Sequence, residues 1–275
     1  MDFKKKKRVV VKIGSNSLTH KKTGKIDYIR IERLAMELSN LRNRGMDVCL
    51  VSSGAIALGR QIMGYHEKPR KLPEKQALAS VGQASLMGIY QQFFSKYQQN
   101  VGQVLMTKNT VLDNVSRKNA QNTFEALFEM GIIPIVNAND TVSTSEIKIG
   151  DNDTLSAIVT ALTDADLLIL LSDIDGLYTG DPRKDPDAAF IPFVPHIDED
   201  LLSMGSSSTG SDIGTGGMKT KLYAAEIATA CGADMIIANA KDLTIVHKII
   251  EGDFIGTHFK SNYDKYFDLV DLLSV

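Results

Sequence analysis

The stretch Val9-Val10-Val11-Lys12-Ile13-Gly14 is a run of β-branched residues that one lysine interrupts and one glycine ends. β-branched residues favour strands, and a run that is apolar on both faces is typical of a strand buried in a parallel sheet. Asp27 is a good helix N-cap, apolar residues recur after it at helical spacing, and Gly45 is placed to end the helix. A second apolar run follows at residues 48–51. This order of strand, helix and strand predicts one βαβ unit.

The same alternation continues along the chain. Further strands are predicted at residues 103–106, 132–136, 167–171 and 235–238. Helices are predicted at residues 74–97, 118–129, 154–162 and 218–230. Gly82 and Gly88, in the first of these helices, predict close packing against another element. The pattern predicts an α/β fold, a three-layer αβα sandwich with a mostly parallel central sheet.

No long linker or shift in composition divides the chain. We therefore expect one domain over residues 1–260 and a short C-terminal tail over residues 261–275. The stretch at residues 205–217, rich in glycine, serine and threonine, predicts a mobile loop.

Charge and cysteine content limit the classes of partner. The 275 residues carry a formal net charge of −2, too small to argue for nucleic acid or an anionic membrane as the partner. The basic run at residues 4–8 is interpreted as solvated surface, with nucleic-acid binding as the alternative. Cys49 and Cys231 lack the spacing of a metal or redox motif, and no apolar run approaches the roughly 20 residues that span a bilayer. We expect a cytoplasmic protein with a small-molecule partner.

In an open parallel sheet, ligands bind beyond the carboxyl ends of the strands. Lys12 stands near the end of the first strand and before Gly14, where an ammonium group and backbone N–H groups can meet a phosphate. The alternative is a lysine that only reaches from the strand to water. The full patterns of a P-loop and of a dinucleotide-binding strand do not occur in the sequence.

Residues 214–221 are a second candidate for phosphate binding, because a glycine run leads into a helix that carries two lysines. Glycines before a helix form an anion nest, and Lys221, one turn inside the helix, can face the same anion. Lys219 is interpreted as a solvent-exposed helix residue. The loop at Ser172 and Asp173 either holds a ribose or base or is an ordinary turn.

Polar residues follow two other predicted strands. Ser52 and Ser53 lead into a helix, where they offer a hydroxyl to a carboxylate or phosphate, or merely cap the helix. Residues 137–140 and 150–154 place several Asn and Asp side chains after one strand. Helix capping explains only one or two of these side chains. Because the others are left without an explanation, we expect a polar site there. The spacing departs from a calcium-binding loop, and no metal site is predicted.

Taken together, these motifs resemble the amino acid kinase family, and within it the members that phosphorylate free L-glutamate. The segments that carry the resemblance are Val11-Lys12-Ile13-Gly14-Ser15, Ser52-Ser53-Gly54-Ala55-Ile56, Asn139-Asp140, residues 148–153, Ser172-Asp173 and residues 214–221. The match covers about the first 260 residues, and the ordered set is more specific than any one piece. Ser52 and Ser172 stand where threonine is common in the family, which keeps the hydroxyl group.

The resemblance implies transfer of a phosphoryl group from ATP to the γ-carboxylate of L-glutamate, the first step of proline biosynthesis, with Mg²⁺ as cofactor. It also implies a homo-oligomer, either a dimer or a tetramer, and proline as a feedback inhibitor. Many members carry a C-terminal PUA domain, which this chain is expected to lack. The resemblance assigns substrate binding to Ser53, Asp140 and Asn152. It assigns ATP binding to Lys12, Ser172, Asp173, Thr215, Gly216, Gly217, Met218, Lys219, Thr220 and Lys221.

The expected reaction needs cations more than it needs a base. A carboxylate with a pKa of about 4.3 is already ionised at neutral pH, so it can attack a phosphate without losing a proton. Catalytic roles are therefore expected for Lys12 and Lys221 on either side of the transferred group, with Asp153 holding the two ammonium groups. Asp140 is expected to bind the α-ammonium group that N-acetylated substrates lack. The alternatives are a family member acting on N-acetylglutamate, aspartate, carbamate or UMP, and a catalytically silent amino-acid sensor.

Overall fold

The computed structural model describes residues 3–65, 67, 69–142, 151–182, 184–207 and 217–274. The strands are β1 (Arg8–Ile13), β2 (Asp47–Ser52), β3 (Val101–Met106), β4 (Ile133–Ala138), β5 (Leu167–Ser172), β6 (Leu177–Tyr178), β7 (Phe190–Ile191), β8 (Phe193–Val194), β9 (Asp234–Asn239) and β10 (Gly256–Phe259). The helices are α1 (Ser15–Leu18), α2 (Tyr28–Asn43), α3 (Ala55–Ile62), α4 (Leu72–Ser95), α5 (Lys108–Leu112), α6 (Asn114–Glu129), α7 (Asn152–Leu162), α8 (Glu199–Ser207), α9 (Met218–Ala230), α10 (Ile245–Glu251) and α11 (Leu269–Ser274).

Eight strands form the central sheet, in the order β3-β4-β2-β1-β5-β9-β10-β8. Neighbouring strands are parallel except β9 and β10, which are antiparallel. The predicted α/β fold with a mostly parallel sheet is confirmed. β1 lies between β2 and β5, and Lys12 is in register with Val51 and Leu170. The loops that leave β2, β1 and β5 therefore meet at one edge of the sheet.

The alternation of side chains along β1 decides which layer each residue contacts. Val9 and Val11 pack with residues of α2 in one core, whereas Val10 packs with residues of α7 and α9 in the other. Residues two apart on a strand share a face. Lys12 therefore points, like Val10, toward the layer that α7 and α9 form. This register brings its ammonium group beneath the N-termini of both helices.

The contact between α3 and α4 depends on two glycines. A Cβ at Gly82 would overlap the carbonyl oxygen of Ala55, and a Cβ at Gly59 would overlap the carbonyl oxygen of Leu78. The prediction of close packing is thus confirmed for Gly82. It is wrong for Gly88, which is exposed and where a Cβ would meet nothing within 4 Å. The contact holds the start of α3, and the loop before it, against α4.

We expect Gly82→Ala to lower the free energy of unfolding by about 1–3 kcal/mol, because the added methyl group forces α3 and α4 apart. Gly88→Ala is the matched control on the same helix. It should raise the free energy of unfolding by about 0.5–1 kcal/mol, because alanine restricts the unfolded chain and favours the helix. Chemical denaturation of both variants measures the difference, and equal effects would contradict the packing described.

Several segments differ from the sequence prediction. The first part of the loop predicted at residues 205–217 is helical, because α8 extends to Ser207, and residues 208–216 lie outside the described residues. β6, β7, β8 and β10 were not predicted, since strands of two to four residues are too short to show a period. In the C-terminal tail, Leu273 of α11 is buried against the core, which ties this segment to the domain.

Three residues of the basic run at residues 4–8 form ion pairs with carboxylates of the same domain. Lys4 Nζ lies 2.7 Å from Glu251 Oε2, and Lys6 Nζ lies 2.7 Å from Asp234 Oδ2. Arg8 bonds to Glu125 and Asp47. The positive charge of this run is thus largely compensated within the fold. Within the described part of the chain, no helix combines the length and the apolar character needed to cross a membrane.

Candidate active site

Two lysines and one aspartate meet at the carboxyl edge of the sheet. Lys12 Nζ lies 2.5 Å from Asp153 Oδ1, and Lys221 Nζ lies 2.8 Å from Asp153 Oδ2. Asp153 belongs to the first turn of α7 and Lys221 to the first turn of α9. Lys12 is 9% exposed, Asp153 is 1% exposed and Lys221 is 7% exposed. The side chains that were predicted to act together are therefore in contact, while their catalytic roles stay a prediction.

The charges of this cluster do not cancel. Burial alone would raise the pKa of Asp153, but the ammonium groups of Lys12 and Lys221 outweigh burial and hold that pKa well below its ordinary value. Thr220 Oγ1 also donates to Asp153 Oδ2, at 3.2 Å. One carboxylate between two ammonium groups leaves this cluster of three side chains with an excess positive charge, and the carboxylates of Asp151 and Asp173 border the same cavity. The excess positive charge at the ammonium groups favours the binding of an anion.

A cavity of about 90 Å³ lies against the two ammonium groups. It is lined by Lys12, Gly14, Ser15, Asn16, Ser17, Ser53, Asp151, Asn152, Asp153, Leu171, Ser172, Asp173 and Lys221. The ends of β1, β2 and β5 and the starts of α7 and α9 all contribute to it. A second cavity, of about 720 Å³, shares Asn16, Ser17, Ser172 and Asp173 with the first.

Of the residues that the family resemblance assigned to ATP, the first cavity is lined by Lys12, Ser172, Asp173 and Lys221. Ser172 ends β5, and its hydroxyl group donates to Asp173 Oδ1 at 3.3 Å. Gly217 precedes α9, and no described side chain caps this helix start, so its first N–H groups are available to an anion. Met218 is half-buried, and Lys219 is exposed, as the helical pattern had indicated. Thr215 and Gly216 lie outside the described residues.

The loop after β2 also borders the cavity. Its turn requires Gly54, whose φ of +113° lies in the left-handed region that favours glycine. The backbone N–H of Ser53 donates to the carbonyl oxygen of Ile13, at 3.2 Å, and so ties this loop to the end of β1. The Ser53 side chain is thereby held beside Lys12.

Asn152 connects this loop to α7. Its Nδ2 lies 2.7 Å from Ser53 Oγ, 3.0 Å from the carbonyl oxygen of Ser52 and 3.0 Å from Asn137 Oδ1. The hydroxyl groups of Ser52 and Tyr90 are 2.6 Å apart, which fixes the loop to α4 as well. Two of the predicted substrate residues, Ser53 and Asn152, are thus in direct contact.

The third predicted substrate residue, Asp140, does not line this cavity. It follows β4 and borders a separate small cavity of about 10 Å³, together with Gln83 of α4. Burial raises the pKa of Asp140 above its ordinary value. Asn137 lies between the two cavities, bonded to Asn152 on one side and to Gln83 on the other.

Asn137 and Asp151 belong to the two segments where a polar site was expected, and neither was assigned an individual role there. Gln83 and Tyr90 were not identified from the sequence. Asn137 interrupts an apolar strand, as Lys12 does. Asp151 accepts from the backbone N–H of Thr154, at 2.8 Å, as a helix cap does, and it also lines the cavity. Gln83 and Tyr90 occupy ordinary helical positions, and no local pattern distinguishes them.

Comparison with solved structures supports the fold. A UMP kinase from Ureaplasma parvum superposes with a TM-score of 0.64 and 17% identity, over 93% of this chain and 99% of that chain. A carbamate kinase from Giardia lamblia, bound to AMP-PNP, superposes with a TM-score of 0.66 and 16% identity, over 94% of this chain and 100% of that chain. At these identities the similarity establishes the architecture and nothing finer.

Comparison with sequences is more specific. The profile of the amino acid kinase family matches residues 7–239. A glutamate 5-kinase from Clostridium tetani is 48% identical, over 93% of this chain and 95% of that protein. One from Listeria monocytogenes is 48% identical, over 96% of each chain, and one from Carboxydothermus hydrogenoformans is 49% identical, over 99% of this chain and 73% of that protein. This chain therefore belongs to the amino acid kinase family and groups there with the glutamate 5-kinases.

Proposed function

We propose that this protein transfers the γ-phosphoryl group of ATP to the γ-carboxylate of L-glutamate, giving L-glutamyl 5-phosphate, the first step of proline biosynthesis. The observation that carries the proposal is the pair of nearly buried ammonium groups, Lys12 and Lys221, on one carboxylate, Asp153. They border a cavity that Ser53 and Asn152 also line. The three relatives described above, 48–49% identical to this chain over the aligned residues, are glutamate 5-kinases.

The chemistry follows from the charges. The γ-carboxylate of glutamate is ionised at neutral pH, so the nucleophile needs no general base. The obstacle is the approach of one anion to another while charge moves onto the oxygen that bridges the β- and γ-phosphates. Lys12 and Lys221 stabilise that developing charge from two sides, and Asp153 keeps both ammonium groups in place before the reaction begins.

On the nucleotide side, Ser172, Asp173 and residues 215–221 bind ATP in this proposal, with the phosphates against Lys12 and Lys221. The start of α9, which no described side chain caps, and the two ammonium groups fit a polyphosphate. Mg²⁺ prefers oxygen ligands, and Asp151 and Asp173 supply carboxylates on the same cavity that would hold it together with the phosphates. The ion supplies additional neutralisation of the phosphate charge when it is bound.

On the acceptor side, Ser53 and Asn152 position the γ-carboxylate, and Asp140 binds the α-ammonium group. The proposal further includes a dimer or tetramer, inhibition by proline and a cytoplasmic location. Size-exclusion chromatography with light scattering measures the oligomeric state. Glutamate kinetics with added proline measure the inhibition.

The function is tested by ADP release with Mg²⁺-ATP and a panel of acceptors, in the presence of hydroxylamine, which traps acyl phosphates as hydroxamates. We expect hydroxamate formation with L-glutamate and little with N-acetyl-L-glutamate, aspartate, carbamate or UMP. Glutamate-independent ADP release without hydroxamate, or preference for another acceptor, would overturn the assignment.

Asp140→Asn should raise KM for glutamate by about 10- to 100-fold and leave KM for ATP nearly unchanged, because only the amino acid loses a charged partner. In the unsubstituted protein, KM for glutamate should rise as pH falls toward the raised pKa of Asp140, since the protonated carboxyl group no longer attracts an ammonium. The Asp140→Asn variant should lack this pH dependence. Steady-state kinetics across the mildly acidic range measure both effects, and equal changes in the two KM values would contradict the placement.

A further inference from the structure

The small cavity beside Asp140 is lined by a buried hydrogen-bond donor that has no acceptor in the described part of the chain. Gln83 is 8% exposed, and among the described residues its Nε2 has no hydrogen-bond partner. Buried polar groups are almost always paired in native proteins, and an unpaired one calls for a water, an ion or a ligand. Gln83 lines the cavity together with Asp140.

The hydrogen bonds around Gln83 fix which of its amide atoms faces the cavity. Asn137 Oδ1 accepts from the backbone N–H of Ala138 at 2.9 Å and from Asn152 Nδ2 at 3.0 Å, so this atom must be the oxygen. Asn137 Nδ2 is then the donor to Gln83 Oε1, at 2.9 Å. Because the oxygen of Gln83 is used in that bond, the amide nitrogen is left for the cavity. If the side-chain amide of Gln83 were rotated by half a turn, its Nε2 would face Asn137 Nδ2, and two donors would meet without an acceptor.

The wall opposite Gln83 also favours a negatively charged group. Ala55, the first residue of α3, lines the cavity, and no described side chain caps this helix at Gly54. The N-terminus of a helix carries free N–H groups and the positive end of the helix dipole. The contact of Ala55 with Gly82 places the next residue of α4, Gln83, beside this helix start. The volume of about 10 Å³ admits one group of the size of a water molecule or a carboxylate oxygen.

We infer that Gln83 Nε2 and the start of α3 bind the α-carboxylate of the acceptor amino acid, next to the position of its α-ammonium group at Asp140. This inference rests on the proposed function and assigns the one charged group of glutamate that had no binding position. Asn152 and Asn137 link the two ends of the substrate, because their side chains join Ser53 to Gln83 in one chain of hydrogen bonds. Gln83 is in this account a residue that determines specificity for a free α-amino acid.

Three acceptors separate the charged groups of the substrate. 4-Aminobutyrate is glutamate without the α-carboxylate, and glutarate is glutamate without the α-ammonium group. Gln83→Glu keeps an acceptor for Asn137 and replaces the free N–H with a negative charge. We expect KM to rise by about 10- to 100-fold for glutamate and glutarate, because each loses a hydrogen bond to a charged oxygen. KM for 4-aminobutyrate should stay the same or fall, and KM for ATP should not change.

Gln91→Glu is the matched control, since Gln91 is an exposed residue of α4 that adds the same charge away from the cavity. Gln83→Met is a second, uncharged variant for the case in which Gln83→Glu does not fold, and it should show the same pattern among the three acceptors. Isothermal titration calorimetry with glutamate, in the absence of ATP, should show the same loss of affinity for both Gln83 variants.

The inference is overturned if the Gln83 variants change KM for glutamate and 4-aminobutyrate equally, since a structural water would then be the partner of Nε2. It is also overturned if they change neither value. These results differ from a failure of the proposed function, in which the unsubstituted protein itself would form no hydroxamate from glutamate.

Discussion

Replacing either Lys12 or Lys221 with methionine should lower kcat by at least about 10²-fold, with a much smaller change in KM for glutamate. Methionine keeps the length and apolar body of the lysine side chain but removes the ammonium group. Both ammonium groups are held by Asp153 before substrate arrives, so their stabilisation of the transferred group costs no rearrangement during the reaction. Their loss therefore acts mainly on the transition state, where the negative charge is being redistributed.

The control for this pair is Lys118→Met, which removes an exposed lysine of α6, on a helix that does not border the cavity. It should keep kcat within about twofold, as surface substitutions usually do. A coupled assay of ADP release at saturating glutamate gives kcat for each of the three variants. A near-normal kcat for Lys12→Met or Lys221→Met would remove that lysine from the proposed mechanism.

Asp153→Asn should have the second large effect, on both activity and stability. The carboxylate is 1% exposed and pairs with two ammonium groups, so the variant leaves two positive charges close together with only a neutral amide between them. We expect kcat to fall by at least about 10²-fold, because the ammonium groups move apart or one of them loses its proton. The free energy of unfolding should fall by about 3 kcal/mol, the lower end for a broken buried pair, since the cavity gives the ammonium groups some water.

A double variant separates positioning from direct action. If Asp153 works by holding Lys12, then Lys12→Met combined with Asp153→Asn should lower kcat by much less than the product of the two single effects. The same measurement is made for Lys221→Met combined with Asp153→Asn, because Asp153 pairs with both lysines. Effects that multiply in both double variants would show that Asp153 has a role of its own and would contradict the positioning argument. Circular dichroism and denaturation of each variant exclude unfolding as the cause.

The fold was largely predictable from the sequence because its central strands are buried on both faces. An apolar run such as that of β1 has few alternatives to a parallel sheet, and caps such as Asp27, which accepts from the backbone N–H of Arg30, mark the helix ends locally. The short strands β6, β7, β8 and β10 were missed because their pairing depends on distant residues. Gly88 was misjudged because a glycine in a helix does not itself show which face is covered.

The candidate site was predictable where a polar residue breaks an apolar pattern. Lys12 interrupts β1, and the residues before α7 are too polar for a simple cap, so both were identified. Gln83 and Tyr90 could not be found in this way, because a glutamine or tyrosine fits an amphipathic helix without a special role. Their significance appears only when α4 packs against α3 and brings them beside Asn137 and Ser52.

The central claim is that a carboxylate oxygen of glutamate is the atom that bonds to the phosphoryl group transferred from ATP, between Lys12 and Lys221. Glutamate labelled with ¹⁸O in its γ-carboxylate tests this claim most directly, with Mg²⁺-ATP and hydroxylamine present. Hydroxylamine cleaves the bond between the acyl carbon and the bridging oxygen, so that oxygen leaves with the phosphate. We predict one labelled oxygen in each phosphate released together with the hydroxamate, and phosphate that carries no label from glutamate would contradict the account.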